Sequence, residues 1–225
     1  MRSNNAALLA GLIFLAACKP SAEQADEATG EAPAEAAAEA AAEAEPRLVF
    51  EDDFERDDVG DAWRAQGEAW SIDEGWLTVE GARNDALWLK TKLPERVRIE
   101  FDAMSMSEEG DLKFEVFGDG YSHESGYIGI FGGWDNQLNI IARLDEHGDD
   151  RLIGAEGQSV EPERTYRFRI ARTAHVLRWY VDDALFIAYE DREPLVHEDD
   201  HAYFAFNDWD APLRFDNVRV YELPE

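Results

Sequence analysis

From Arg47 onward, apolar and polar residues alternate with a period of two. In "RVRIEFDAM", Val97, Ile99, Phe101 and Ala103 fall on one face, and Arg98, Glu100 and Asp102 on the other. "DLKFEVF" sets Leu112, Phe114 and Val116 against Asp111, Lys113 and Glu115. "LNIIARLD" sets Leu138, Ile140, Ala142 and Leu144 against Asn139, Ile141, Arg143 and Asp145. "TYRFRIAR" and "VLRWYVD" repeat the pattern, with Tyr166, Phe168, Ile170, Leu177, Trp179 and Val181 on the apolar side. Such alternation predicts half-buried antiparallel strands. Turn signals ("DEG", "EEGD", "GDG", "FGG", "EHGDD", "VDDA") separate them, and no amphipathic helix stands out. About a dozen short strands at close spacing predict an all-β sandwich or barrel.

The pattern is different before residue 47. "MRSNNAALLAGLIFLAAC" has one basic residue, Arg2, then an apolar run from Ala6 to Ala17, too short to span a bilayer. It reads as a secretory signal. Its end, Leu15-Ala16-Ala17-Cys18, resembles the lipobox of bacterial lipoproteins, which implies that Cys18 becomes a lipidated N-terminus. Cys18 is the only cysteine, so an intramolecular disulfide is excluded. The same resemblance, with Lys19 following, implies a lipid-anchored cell-envelope protein of the outer membrane. Residues 19–46 are rich in Ala, Glu and Pro, with no aromatic or large aliphatic side chain. They cannot bury enough surface to offset their ordering entropy, so a disordered or partly helical spacer is expected. Residues 47–225 then form one domain with a substantial core.

The chain is strongly acidic, with 50 Asp and Glu against 21 Lys and Arg and a formal charge of −29. Excluding the signal and the spacer leaves 42 acidic and 19 basic residues, a charge of about −23. This argues against nucleic acid and anionic membrane surfaces, whose phosphates need Lys and Arg. It suits a neutral or cationic ligand, or bound divalent cations.

Three segments carry a resemblance to a known superfamily. "FEDDFERDDVGDAWRAQGEAWSIDEGWLTVEG" (Phe50–Gly81) is similar to the opening of concanavalin A-like lectin/glucanase domains of the LamG-like and DUF1080-like branch. "YRFRIARTAHVLRWYVDDALF" (Tyr166–Phe186) resembles their paired strands around a hairpin, and "LRFDNVRVYE" (Leu213–Glu222) their closing strand. The resemblance implies a jelly-roll sandwich of two antiparallel sheets, with a concave face that in that superfamily often binds or cleaves sugars. It also implies one structural Ca²⁺, held by Asp216, an opening-strand acid such as Asp53 or Glu55, and a loop carbonyl. Ca²⁺ prefers oxygen ligands of this kind. A plain β-bulge in which Asp216 and Asn217 bond to backbone is the competing reading.

Catalytic patterns are incomplete. Retaining glycoside hydrolases need two carboxyl groups about 5–5.5 Å apart. Glucanases of this fold supply them from one strand as E-x-D-x-E or E-x-D-x-x-E, whereas Glu100-Phe101-Asp102 is followed by Ala103, Met104 and Ser105. "HEDDH" (His197–His201) fits H-E-x-x-H, but Pro194 before it and the strand-like "AYFAFN" after it deny it the helix that zinc catalysis requires. A ligand surface remains. Sugars are bound by aromatic faces together with amides and carboxylates. Trp134, Asn136, Asn139, Arg143, Asp145 and Glu146 in "GGWDNQLNIIARLDEHGDD", with Asn207 and Trp209 in "FNDWD", supply these groups. The leading expectation is a lipid-anchored, non-catalytic glycan-binding domain. A glycoside hydrolase of 3-keto-glycoside or glucanase type with an atypical acid pair, and a structural or partner-binding lipoprotein, are the alternatives.

Overall fold

The nine residues Val97–Ser105 form a strand in which every second side chain, from Val97 to Ser105, is buried and the intervening ones are half-buried. The computed structural model containing this strand describes residues 45–149, 151–154, 157–195 and 201–225. Fifteen strands lie among the described residues. They are β1 Arg47–Asp52, β2 Trp63–Arg64, β3 Ser71–Asp73, β4 Trp76–Val79, β5 Leu87–Leu89, β6 Val97–Ser105, β7 Leu112–Gly118 and β8 Tyr127–Gly132. They continue with β9 Leu138–Arg143, β10 Leu152–Ile153, β11 Tyr166–Thr173, β12 Val176–Val181, β13 Ala184–Glu190, β14 Tyr203–Asn207 and β15 Leu213–Glu222.

They make two antiparallel sheets. One is ordered β13-β12-β11-β6-β15-β4-β3, with β1 also paired to β15; the other is ordered β10-β9-β8-β7-β14-β5-β2. Inward side chains of both sheets share one core. Phe101 of β6 stands near its centre, with Phe114, Phe168, Phe204, Phe206 and Phe215 at ring-centroid distances of 5.1 to 6.3 Å. Each such pair contributes about 0.5–1.5 kcal/mol beyond simple burial.

The opening motif is tied down by Asp52. Its carboxylate accepts Trp63 Nε1–H at 2.7 Å, the Phe54 N–H at 3.0 Å and two bonds from Arg56 at 2.5 and 2.9 Å. Burial opposes its ionisation, but these donors outweigh burial and hold the carboxyl below its usual range. At the other end of the chain, β15 is bulged between Asp216 and Arg219, where Asn217 takes a left-handed φ of 55°. The Asn217 N–H donates to Asp216 Oδ1 at 2.7 Å, and its side-chain amide donates to Asp102 at 2.9 Å.

Strand β9 departs from expectation. Ile141 belongs to the core between the sheets, so by alternation Asn139 and Arg143 point inward with it. Leu138, Ile140 and Ala142 instead pack with Ile128, Ile130 and Trp134 on the sheet's outer face. The cause is local: Ile140-Ile141-Ala142 is apolar on both faces, so period two alone does not choose between them. Trp134, on the turn before β9, covers part of these outward apolar side chains.

Candidate functional site

Register aligns two rows of side chains across the outer face of the seven-stranded sheet. One row contains Asn207, Lys113, Ile130 and Ile140; the next contains Trp88, Ala205, Glu115, Ile128 and Ala142. Polar groups thus sit in the middle of an apolar surface, and all three are buried: Lys113 is 2% exposed, Glu115 and Asn207 0%. Burial of an ammonium and a carboxylate costs several kcal/mol unless each is paired and hydrogen-bonded. Lys113 Nζ donates to Asn84 Oδ1 at 2.7 Å and pairs with Glu146 Oε2 at 2.5 Å. Glu115 Oε1 accepts from the Asn207 amide at 2.6 Å and lies 2.7 Å from His123 Nδ1. His123 Nε2 is 3.7 Å from Glu146 Oε2, which connects the two halves into one polar chain. Glu115 Oε2 has no hydrogen-bond partner among the described residues.

Two loops bring the missing partners over the sheet. In the loop after β7, Asp119 Oδ1 accepts the N–H groups of Tyr121 and Ser122, both at 2.7 Å, and the turn so formed carries His123. Burial opposes ionisation of Asp119, and these bonds lower its pKa in spite of it. In the loop after β9, the Glu146 N–H donates to Glu124 Oε1 at 3.3 Å, and Arg151 donates to the Glu146 carbonyl at 3.0 Å.

Beside Lys113 and Glu146 opens a cavity of about 340 Å³, within the range of small-ligand sites. Its lining includes Asn84, Asp111, Lys113 and Glu146, with the indoles of Trp134 and Trp209 and the rim residues Glu109, Asp135, His147 and Asp210. Trp209 is 49% exposed. Arg83 lies 5.0 Å from its ring and pairs with Asp210 at 2.9 Å. Trp134 holds Arg151 at 5.0 Å and His147 edge-on at 5.6 Å. The turn carrying Trp134 is strained: Trp134, Asp135 and Asn136 all have left-handed φ, between 52° and 61°. Such a run costs about 1–2 kcal/mol per residue relative to right-handed backbone. The Asn136 side chain holds it, accepting from Val160 N–H at 2.8 Å and donating to the carbonyls of Val160 at 2.7 Å and Glu108 at 3.1 Å.

Two aspartates at this end are pushed up to about 6. For Asp111 the cause is burial first; Lys113 opposes it, while the charges of Asp208 and Glu146 add to it. For Asp208 burial again leads, against N–H bonds from Ala82 and Ala211, both 2.9 Å long.

Of the residues expected to bind ligand, Trp134, Glu146 and Trp209 line the cavity. Asn207 lies in the adjoining polar chain. The other four are engaged elsewhere. Asn136 pins the strained turn. Asn139 is buried, accepting from Gly132 N–H at 2.9 Å and donating to the Gln158 carbonyl at 2.8 Å. Arg143 pairs with Asp191 at 2.9 Å on the inner side of β9, and Asp145 caps the His147 N–H at 2.8 Å. Asn139 and Arg143 therefore turn away from the outer face, because β9 presents its other face outward, and Asp145 lies exposed past the strand end, beyond the left-handed Leu144. Glu100 and Asp102 lie on the outer face of the opposite sheet, held by Arg98 at 3.0 Å and by Asn217 at 2.9 Å. His197 to Asp200 of the H-E-x-x-H match, and Cys18, fall outside the described residues; His201 Nδ1 is 2.8 Å from the Ser125 carbonyl.

The sequence reading missed Asn84, Asp111, Lys113, Glu115 and His123 as members of the site. Lys113 and Glu115 were placed on the correct face, but a polar residue in an alternating strand carries no mark that a loop covers it. Asp53 and Asn217 line a second cavity of about 400 Å³. Burial, and then the charges of Asp102, Glu55 and Asp53, push Asp216 up to about 6, against the bond from Asn217. Among the described residues no three acidic, histidine or cysteine side chains converge as a metal site.

No family model matches the sequence, and none of the curated proteins compared with it does. Solved structures do match. A carbohydrate-binding module, CBM66 from Bacillus subtilis, has a TM-score of 0.58 at 16% identity, over 72% of this chain and 96% of that one. The laminarinase from Rhodothermus marinus has 0.57 at 17% identity, over 80% of this chain and 99% of that one. The laminarinase catalytic domain from Thermotoga maritima has 0.56 at 14% identity, over 80% and 99%. The fold is the concanavalin A-like jelly roll, the class the sequence reading expected.

Proposed function

We propose that this chain is a carbohydrate-binding protein whose ligand occupies the cavity lined by Trp134 and Trp209. The observation that carries the reading is the combination of two indoles with an amide, five carboxylates and an ammonium in a single cavity. Sugar rings stack their C–H faces on indole, and their hydroxyls pair with amides and carboxylates. The neighbours that share the fold include a carbohydrate-binding module and laminarinases, which is consistent with this reading. A glycan array probed with the protein and with Trp209→Ala tests it. Retention on at least one glycan, lost in the variant, is expected; binding unchanged by Trp209→Ala would exclude this cavity.

A hydrolytic reading has one observation in its favour. Asp111, with its raised pKa, lies in the same cavity as Glu146, and a general acid paired with a second carboxylate is what hydrolysis needs. Glu146 is already paired with Lys113, so binding is the preferred reading. Release of reducing ends from a retained glycan, abolished by Asp111→Asn, would favour hydrolysis.

Two further features belong to the same proposal. Cys18 carries the lipid that anchors the domain to the cell envelope; Cys18→Ser is expected to leave the protein out of the membrane fraction. One Ca²⁺ is held by Asp53, Asp216 and a loop carbonyl, a set of oxygen donors that suits it. Because ligation to the folded state alone stabilises by mass action, chelator should lower Tm in the parent and not in Asp216→Ala.

A further inference from the structure

We infer that the sugar this cavity receives carries a free amine, held as an ammonium by the two indoles and the acids around them. The inference rests on the cavity being the glycan site and names the class of glycan.

The first argument is charge. Five carboxylates line the cavity: Glu109, Asp111, Asp135, Glu146 and Asp210. Two are compensated, Glu146 by Lys113 at 2.5 Å and Asp210 by Arg83 at 2.9 Å. Glu109 and Asp135 stand exposed on the rim, and Asp111, inside, accepts the Trp209 backbone N–H at 3.4 Å and shares the charge of Lys113, which is already paired with Glu146. A neutral sugar would remove more water from Asp111 and add no positive charge, which disfavours binding, whereas an ammonium would meet Asp111 inside and the two rim carboxylates outside.

The second argument is hydrogen bonding. Sugar hydroxyls both donate and accept, so a neutral-sugar site needs donors as well as acceptors. Here the acceptors dominate, and Lys113 Nζ is already committed to Glu146 and Asn84. An ammonium is the complementary group, with three donors and no acceptor.

The third argument is the indoles. A cation within about 6 Å of an indole face is attracted by the ring quadrupole, by roughly 0.5–2 kcal/mol. Arg83 and Arg151 already stand 5.0 Å from the Trp209 and Trp134 rings, so both indoles sit in cation-binding geometry and an incoming ammonium would take the face turned to the cavity or the place of an arginine. A bare metal ion fits less well, since no three metal-binding side chains converge among the described residues. The raised pKa of Asp111, caused first by burial and then increased by neighbouring acids, is relieved by an incoming positive charge.

The test measures binding of the full chain to four oligosaccharides: glucosamine, N-acetylglucosamine and N-trimethylglucosamine oligomers, and a neutral glucan. The trimethylated probe keeps its charge at every pH. Expected are at least about tenfold tighter binding of the two cationic probes than of the acetylated one, and loss of that preference in Asp135→Asn, whose Asn tolerates the left-handed backbone. Trp209→Ala, which leaves the net charge unchanged, should abolish binding of both cationic probes. Equal binding of all four would overturn the amine inference while leaving the glycan reading intact. Cationic binding that survives Trp209→Ala would be diffuse attraction to a chain of charge −29, and would also overturn it. If none of the four binds, both fail.

Discussion

Lys113 Nζ and Glu146 Oε2, 2.5 Å apart and both buried, join the middle of one sheet to the loop that closes over it. Removing one member of a buried pair strands the other charge, at about 3–5 kcal/mol. Lys113→Met is expected to destabilise by that amount in urea denaturation. The double variant Lys113→Met/Glu146→Leu should recover most of the loss, because the uncompensated charge is gone. A single variant as stable as the parent would show that the loop is held by other contacts.

Arg143 is expected to act on stability rather than on ligand. Its Nε pairs with Asp191 Oδ2 at 2.9 Å, and the Tyr127 hydroxyl donates to the same oxygen at 2.8 Å. Burial opposes ionisation of Asp191, but Tyr127, the Glu193 N–H and Arg143 together hold its pKa below the usual value. Arg143→Ala is expected to cost about 1–3 kcal/mol, the range for losing a bond to a charged group. Glycan retention should be unchanged. Lost retention with unchanged stability would return Arg143 to the binding surface.

The pH dependence of stability follows from opposite shifts. Asp111 and Asp208 titrate near 6 in the folded state, against about 3.9 in an unfolded chain. A raised carboxyl binds its proton more tightly when folded. Its contribution is therefore complete below about 4 and is lost as pH rises through about 6. Asp52, Asp119 and Asp191 are shifted down, so what they contribute is present above about 4 and lost as pH falls below it. Without ligand, Tm should peak between about 4 and 6. Asp208→Ala should reduce the loss on going from pH 5 to pH 8; an unchanged slope would remove Asp208 as a cause.

Ligand binding has the opposite sign. An ammonium needs Asp111 ionised, so affinity for the trimethylated probe should fall as pH drops through about 6. The charged groups around Asp111 are Lys113, Asp208 and Glu146, with Glu109, Asp135, Asp210 and His147 on the cavity wall. Asp111→Asn should flatten the profile; a fall that persists in this variant would point to another of these groups.

Gly129 offers a steric test of the sandwich. It faces Phe114 across β7 and β8, and a Cβ there would lie 2.3 Å from the Phe114 ring. Gly129→Ala is expected to cost about 1–3 kcal/mol, as overpacking of a filled core does. The thermal melt reads it directly. Gly129→Ala in Phe114→Leu should cost less, and equal losses in both backgrounds would place the strain elsewhere.

The sequence by itself determined the sheet architecture. Strict alternation in Val97–Ala103, Tyr166–Ile170 and Leu177–Val181 leaves one face with nothing but core residues, so register and burial follow from period two. It also marks Trp134, Glu146 and Trp209, because indoles with amides and acids at strand ends are the groups that bind sugars. Tertiary structure decided the rest. Ile140-Ile141-Ala142 is apolar on both faces, and only packing between the two sheets, which takes Ile141, settles which face turns outward. That choice moved Asn139 and Arg143 into structural roles. Lys113 and Glu115 lie on β7 and His123 in the loop after it, but their partners Asn84, Glu146 and Asn207 come from segments far apart in the chain, so their burial exists only in the assembled fold. Local pattern records which way a side chain points; whether water or another segment meets it there is a property of the assembled fold.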